Sequence, residues 1–166
     1  MSGSAKPSQD DLSLAAIRAG GKLTLARALA ALERAPESTG AIALLDAAHR
    51  APRARVIGVT GPPGVGKSIL LRTMIGRFRG AGASVGVIAV DPSSRRTGGA
   101  LLGDRVRLAT DPEDAGLFVR SMAARDRLGG LAEGTMAAMV LMRAIFDRVL
   151  IETVGVGQSE TDVAGM

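Results

Sequence analysis

The sequence predicts an α/β protein whose strands form a parallel sheet, and three observations carry this prediction. Helical patterns alternate with apolar runs, at Lys67–Arg79 and Gly130–Phe146, which indicates right-handed βαβ units. A glycine-rich loop joins the first apolar run to the first of these helices. The apolar runs are short and continuous, as is typical of parallel strands buried on both faces: Arg55–Thr60, Ser84–Val90, Leu117–Ser121 and Arg148–Ile151.

The residues before this region have a different character. Residues 1–11 are rich in Ser, Pro, Gln and Asp and are predicted to form a disordered tail. Residues 12–52 carry three short helical patterns: the first ends at Gly20-Gly21, the second ends near Pro36, and the third has Ser38 or Thr39 as its N-cap. We therefore predict an N-terminal helical segment over residues 12–52 and a sheet-bearing domain over residues 53–166.

The composition excludes several classes of protein. The 166 residues include no cysteine and one histidine, His49, which excludes a disulfide scaffold, thiol catalysis and a metal site built from Cys or His clusters. The net charge is +5, but the arginines are scattered among acids and no Trp or Tyr is available to stack on bases, so we expect no nucleic-acid partner. No apolar run reaches the ~20 residues of a membrane span, and the N-terminus lacks the apolar core of a secretory signal. We expect a cytoplasmic protein with no membrane partner.

The glycine-rich loop has the spacing G-x-x-x-x-G-K-[ST]. It follows a predicted strand and opens a predicted helix, which is the context this motif requires for binding the phosphates of a nucleoside triphosphate. Glycines let consecutive N–H groups turn inward around phosphate oxygens, and the positive end of the helix adds to the attraction. Lys67 is expected to reach the β- and γ-phosphates and Ser68 to bind Mg²⁺. The predicted fold is therefore a three-layer αβα P-loop NTPase, and its predicted nucleotide-binding residues are Gly61, Pro62, Pro63, Gly64, Val65, Gly66, Lys67, Ser68 and Ile69.

Carboxylates near neighbouring strand ends predict the metal side of this site. Asp91 is expected directly after the second strand and Glu152 directly after the fourth, so both are expected at the sheet edge that carries the loop. Mg²⁺ prefers such oxygen ligands, and Asp104, in a Gly- and Arg-rich loop, is a candidate third carboxylate. Gly155 completes the predicted nucleotide site, because its N–H can approach a γ-phosphate. The predicted metal ligands are Ser68, Asp91, Asp104 and Glu152, and the predicted catalytic residues are Lys67, Asp104 and Glu152.

Four segments of the sequence carry a family resemblance: GPPGVGKS, VIAVDPSSRRTGGALLGDRVRL, LGGLAEGT and VLIETVGVGQSET. Together they closely resemble the MeaB/ArgK/methylmalonic aciduria type A family of P-loop GTPases, of the SIMIBI class. The resemblance implies a homodimeric protein that binds Mg²⁺ and GTP, hydrolyses GTP to GDP, and acts as a chaperone for an adenosylcobalamin-dependent methylmalonyl-CoA mutase or a related B12-dependent mutase. It also implies that Gly155 to Glu160 form a nucleotide-sensing switch.

Among the departures from the family pattern, two concern nucleotide binding. Ile69 stands where a second hydroxyl residue is usual after Ser68, and the chain contains no Asn, so the N-K-x-D loop that reads guanine is missing. We therefore expect the chain to be incomplete at the C-terminus, an N-terminal portion of a longer protein that lacks the base-binding loop and the C-terminal dimerisation element. A P-loop small-molecule kinase and a non-catalytic nucleotide-binding fragment stay open as alternatives.

Overall fold

A computed structural model describes residues 13–62, 64–91, 113–123 and 133–153 of the chain. Its strands are all parallel and follow the order β1-β4-β2-β3 in one sheet. This arrangement confirms the predicted α/β fold with a parallel sheet. In chain order the elements are α1 (Leu14–Arg34), α2 (Thr39–Arg50), β1 (Arg55–Val59), α3 (Lys67–Gly80), β2 (Val85–Asp91), β3 (Leu117–Ala123), α4 (Glu133–Ile145) and β4 (Arg148–Thr153).

Helices cover both faces of the sheet, so the described part of the chain has the three predicted layers. Alternate residues of each strand point to opposite faces, and two apolar clusters result. The cluster under α3 contains Leu71 and Ile75 of the helix together with Val87 of β2. The cluster on the other face joins α1, α2 and α4 to Ile88 of β2 and Ile151 of β4. The strands thereby hold the glycine-rich loop and α3 on one side and the remaining helices on the other.

The N-terminal helices break where the sequence predicts. The range of α1 (Leu14–Arg34) joins two helical segments at Gly21, whose φ of 65° and ψ of −157° are not helical, so the predicted end of a first helix at Gly20-Gly21 is confirmed. Glycine reaches this positive φ without a steric penalty, and a second helical segment follows it without an intervening loop. The next helix begins as predicted, because the Ser38 hydroxyl accepts a hydrogen bond from the Ala41 N–H at 3.3 Å.

Two arginines connect α1 to neighbouring elements, one within the helical layer and one to the sheet. Arg18 of α1 donates to the Ala144 carbonyl near the end of α4 at 2.8 Å and to the Ala51 carbonyl at the end of α2 at 3.4 Å. Arg120 of β3 donates to both carboxylate oxygens of Glu33 in α1, each at 2.8 Å. A cation at helix C-termini satisfies carbonyls that have no partner within the helix. These contacts join residues far apart in the sequence, so no local pattern predicts them.

The methionines of α4 divide between core and surface. Met139 and Met142 are buried, whereas Met136 is 40% exposed in the first turn of the helix. Thr135, in the same turn, is fully buried, so Met136 lies on a different side of α4 from the face that packs on the sheet. None of the described helices has the length and apolarity needed to cross a bilayer.

Candidate nucleotide-binding site

The loop between β1 and α3 has a backbone that only glycine adopts readily. Gly61, Gly64 and Gly66 have φ values of 138°, 83° and 90°, all in the region that L side chains avoid. Gly66 is also the N-cap of α3, and no side chain caps the helix there. The first N–H groups of α3 are therefore not satisfied by a cap side chain, which is the arrangement that binds an anion at a helix N-terminus.

Lys67 closes this loop on itself. Its ammonium group donates to the carbonyl oxygens of Gly61 at 2.6 Å and of Pro62 at 2.8 Å. The positive charge is thereby held at the mouth of the loop, beside the N-terminus of α3. A phosphate oxygen that enters the loop meets an ammonium group that is already positioned and has only to exchange carbonyl partners.

The remaining motif residues surround the same loop. Val65 and Ile69 are 60% and 70% exposed, so their side chains do not contribute to the core. A Cβ atom added to Gly61 would lie 3.6 Å from Val65 Cγ2 and 3.9 Å from Lys67 Cδ, so a side chain here would point into the loop. Pro63, which we also predict to bind nucleotide, lies outside the described residues.

Ser68 and Glu152 are brought together from distant parts of the chain. The Ser68 hydroxyl, in the first turn of α3, donates to Glu152 Oε1 at 3.2 Å. Glu152 lies in β4, and its neighbours in the sheet are Val59 of β1 and Ala89 of β2. A hydroxyl and a carboxylate oxygen are hard ligands of the kind that Mg²⁺ takes, and adjacent ligands of an octahedral Mg²⁺ ion lie about 2.9 Å apart. The observed separation fits two neighbouring ligands of one such ion.

The predicted positions of the two strand-end carboxylates need correction. We expected Asp91 and Glu152 to follow their strands, but Asp91 is the last residue of β2 and Glu152 is inside β4, one residue before its end at Thr153. The strands extend further because β2 pairs with β3 up to Ala123, and β4 pairs with β2 up to Thr153. Hydrogen bonds to neighbouring strands can extend a strand beyond its apolar residues. The sequence of one strand does not show which strands will be its neighbours.

Several predicted site residues cannot be compared with the structure. Asp104 and Gly155 lie outside the described residues, and the side chain of Asp91 is also outside the description, although its backbone is placed. Within the described ranges no group of three or more His, Asp or Glu side chains forms a metal cluster. The full metal set of Ser68, Asp91, Asp104 and Glu152 therefore stays a prediction, of which the Ser68–Glu152 contact is the described part.

Two kinds of contact at the site were not predicted from the sequence. The motif identifies Lys67 and Ser68 but gives no sign that Lys67 contacts the loop carbonyls or that Ser68 touches Glu152 directly. The first contact depends on the turn that the loop makes, and the second depends on β4 lying next to β1 in the sheet. A parallel sheet in which β1 and β4 were not neighbours would carry the same motifs without this contact.

The loop, the helix that it opens and the adjacent strand carrying a carboxylate define a P-loop NTPase. Residues 25–166 match the family described as methylmalonyl-CoA mutase-associated GTPase MeaB. The chain belongs to this family.

Individual relatives agree with the family match. The GTPase ArgK of Escherichia coli is 40% identical over 158 residues, which are 93% of this chain and 48% of that protein. A protein of Pyrococcus horikoshii named as a candidate GTPase is 53% identical over 111 residues, covering 66% of this chain and 35% of that protein. A fused isobutyryl-CoA mutase of Cupriavidus metallidurans is 36% identical over 149 residues, covering 87% of this chain and 14% of that protein. The chain thus spans less than half the length of each of these relatives.

Proposed function

We propose that this chain provides the triphosphate-binding and metal-binding part of a Mg²⁺-dependent GTPase. The observation that carries the proposal is the glycine-rich loop whose lysine is already turned toward its mouth, next to the Ser68–Glu152 contact. GTP is the substrate we propose and GDP the product, a choice supported by relatives that are named GTPases. Guanine recognition is assigned to residues outside this sequence, which has no Asn for an N-K-x-D loop.

The chain's own residues would act by positioning and charge. In the proposed complex Lys67 exchanges its contacts with Gly61 and Pro62 for β- and γ-phosphate oxygens, and the free N–H groups of the loop and of α3 surround the polyphosphate. Ser68 and Glu152 would hold Mg²⁺, which neutralises phosphate charge when bound. An in-line water then displaces GDP, and these groups stabilise the charge that develops on the transferred phosphoryl oxygens.

Three further residues belong to the proposed nucleotide and metal site. Asp91 and Asp104 are proposed as further carboxylates around the metal, with Asp104 the candidate for positioning the attacking water. Gly155 is proposed to sense the γ-phosphate through its N–H, as part of a switch over residues 155–160. This segment begins two residues after the end of β4 in the sequence.

The partner we propose is a B12-dependent acyl-CoA mutase. The matched family is described as associated with methylmalonyl-CoA mutase, and one relative is itself a fused isobutyryl-CoA mutase. We propose that the whole protein is a homodimer that assists loading and protection of adenosylcobalamin in such a mutase. Stimulation of GTP hydrolysis by a purified methylmalonyl-CoA mutase would support this role. Hydrolysis that is unchanged over a range of mutase concentrations would contradict it.

A titration of fluorescent GTP in Mg²⁺ tests the nucleotide site. Lys67→Ala should weaken binding by about 1.5–3 kcal/mol, or roughly 10- to 150-fold, because a charge-assisted contact to phosphate is lost. Arg72→Ala is the matched control, since Arg72 is an exposed cation on the same helix, and its affinity should stay within about twofold of the unsubstituted chain. Undiminished binding by Lys67→Ala would overturn the assignment of the phosphate site.

A further inference from the structure

Several arginines lie near the amino ends of the strands, at the end of the sheet opposite the glycine-rich loop. β1 begins with Arg55 and β4 with Arg148, and these two residues are paired in the sheet, so their Cα atoms are about 4.8 Å apart. Arg143 lies in the last turn of α4, and its carbonyl accepts from the N–H groups of Arg53 and Ala54, both at 2.9 Å. The backbones of four arginines from three segments are therefore adjacent at this end of the sheet. We call the set Arg53, Arg55, Arg143 and Arg148 the basic edge.

Among the described residues, the acidic side chain of Asp147 lies beside the basic edge and already has hydrogen-bond partners. The Asp147 carboxylate accepts from the Ser84 hydroxyl at 2.7 Å and from the Ser84 N–H at 2.9 Å. These hydrogen bonds, and after them the charges of Arg53 and Arg148, hold the pKa of Asp147 below its ordinary value. Asp147 is therefore ionised at neutral pH, and a single negative charge stands against four positive ones.

The cations of the basic edge are available to a partner. Arg53, Arg55 and Arg143 are exposed, and none of them forms an ion pair with another described residue. Other arginines of the described chain do have carboxylate partners, as Arg79 does in Asp114 and Arg120 in Glu33. The basic edge thus gathers positive charge that the described fold does not neutralise.

The fourth cation of the basic edge is held in a fixed position. Arg148 donates to the Asp147 carbonyl at 2.7 Å, and its guanidinium carbon lies 5.5 Å from the centre of the Phe78 ring. A guanidinium group over an aromatic face is fixed by a cation–π contact and keeps its remaining donors for other ligands. Arg148 therefore presents an ordered cation beside the three exposed ones.

The chemistry of the basic edge favours carboxylates over nucleic acid or lipid. The planar fork of guanidinium binds carboxylate with two parallel hydrogen bonds. Single-stranded nucleic acid would need an aromatic ring for base stacking, and Phe78 is covered by Arg148. A membrane would need exposed apolar side chains beside the charges. Among the described residues, α1 has one exposed large apolar residue, Leu23, and a single side chain does not form an apolar patch. In α2, α3 and α4 the exposed large apolar residues lie in the first two turns, at the opposite end from the basic edge; they are Ile42, Ile69, Leu70 and Met136.

We propose that the basic edge is a docking surface for a carboxylate-rich segment of a partner protein. It is separate from the nucleotide site, because the strands run from the basic edge to the loop side of the sheet. A partner bound at the amino ends of β1 and β4 leaves the glycine-rich loop open to nucleotide. The proposal does not depend on the identity of the nucleotide or on its hydrolysis.

Binding of a labelled polyglutamate peptide, followed by fluorescence anisotropy, tests this surface. The double variant Arg53→Glu/Arg55→Glu should bind at least about tenfold more weakly than the unsubstituted chain. The control Arg27→Glu/Arg72→Glu makes the same change in net charge at exposed helical positions away from the basic edge. Its affinity for the peptide should fall by no more than about threefold. If the first variant fails to fold, as judged by circular dichroism, Arg143→Gln replaces it, with an expected loss of about threefold to tenfold.

The same binding measurements define the outcomes that would overturn the proposal. Equal losses in the double variant and its control would mean that the peptide senses only net charge. Absence of polyglutamate binding at roughly physiological ionic strength would also overturn it. Duplex DNA, or phosphatidylserine vesicles, bound more tightly than polyglutamate through the same arginines would assign the surface to nucleic acid or to a membrane instead.

Discussion

Replacing Ser68 by Ala and Glu152 by Gln, separately and together, tests whether both side chains act through one magnesium ion. Their oxygens lie 3.2 Å apart, the spacing of neighbouring ligands on an octahedral ion. Ser68→Ala removes a hydroxyl ligand, and Glu152→Gln replaces a carboxylate ligand by a neutral amide. Each single change should therefore weaken Mg²⁺-dependent binding of GTP by about 1.5–3 kcal/mol, or roughly 10- to 150-fold. If both residues bind one ion, the double variant should bind GTP only slightly more weakly than the single variant with the lower affinity. This result corresponds to a coupling energy of about 1–3 kcal/mol between the two residues.

The assay is a titration of fluorescent GTP with each of the four proteins, once in Mg²⁺ and once in a chelator. The chain contains no Trp or Tyr, so its own emission does not interfere. In the chelator the order should change: Glu152→Gln should bind GTP as tightly as the unsubstituted chain or more tightly, because a negative charge near the phosphates has been removed. Losses that simply add in the double variant and persist in the chelator would refute the shared-ion reasoning.

Three further variants test the fold around the site, with urea unfolding followed by circular dichroism as the measurement. Arg18→Ala should lower the free energy of unfolding by about 1–3 kcal/mol, because the Ala144 carbonyl loses its charged donor, and Arg18→Lys should recover part of the loss. Asp147→Asn should destabilise the chain at neutral pH but not in strong acid, because the pKa of Asp147 is lower in the folded chain than in the unfolded chain. The ionised carboxylate therefore stabilises the fold above the unfolded pKa of about 3.9. This stabilisation disappears as the pH falls through the folded pKa. Thr153→Val should raise the free energy of unfolding by about 1 kcal/mol, because the buried Thr153 hydroxyl has no hydrogen-bond partner among the described residues. The account of Arg18 is contradicted if Arg18→Lys is no more stable than Arg18→Ala. The account of Asp147 is contradicted if Asp147→Asn is still destabilised in strong acid. The account of Thr153 is contradicted if Thr153→Val lowers the free energy of unfolding.

Local sequence signals predicted the parts of the fold and site that depend on nearby residues. The loop with Lys67 and Ser68 was located correctly because the motif, the strand before it and the helix after it are contiguous. The position of Glu152 inside β4 was not predicted, since the end of a strand depends on its neighbours in the sheet. The break at Gly20-Gly21 was predicted correctly, because a glycine pair ends a helical pattern by a local effect of the backbone. The anchor at Arg18 had no local signal, since its partner carbonyl lies 126 residues away in the sequence.

The carboxyl end of β4 connects the two faces of the sheet. β4 lies between β1 and β2, and its successive residues Glu152 and Thr153 point to opposite faces. Glu152 contacts Ser68 on the side of α3, whereas Thr153 is buried on the side that carries α1, α2 and α4. We expect a change in metal or nucleotide that moves the backbone of Glu152 to move Thr153 as well, because the two residues are consecutive in one hydrogen-bonded strand. The switch that we propose over residues 155–160 follows this point directly, so the bound nucleotide can influence the helical layer through β4 without a separate relay.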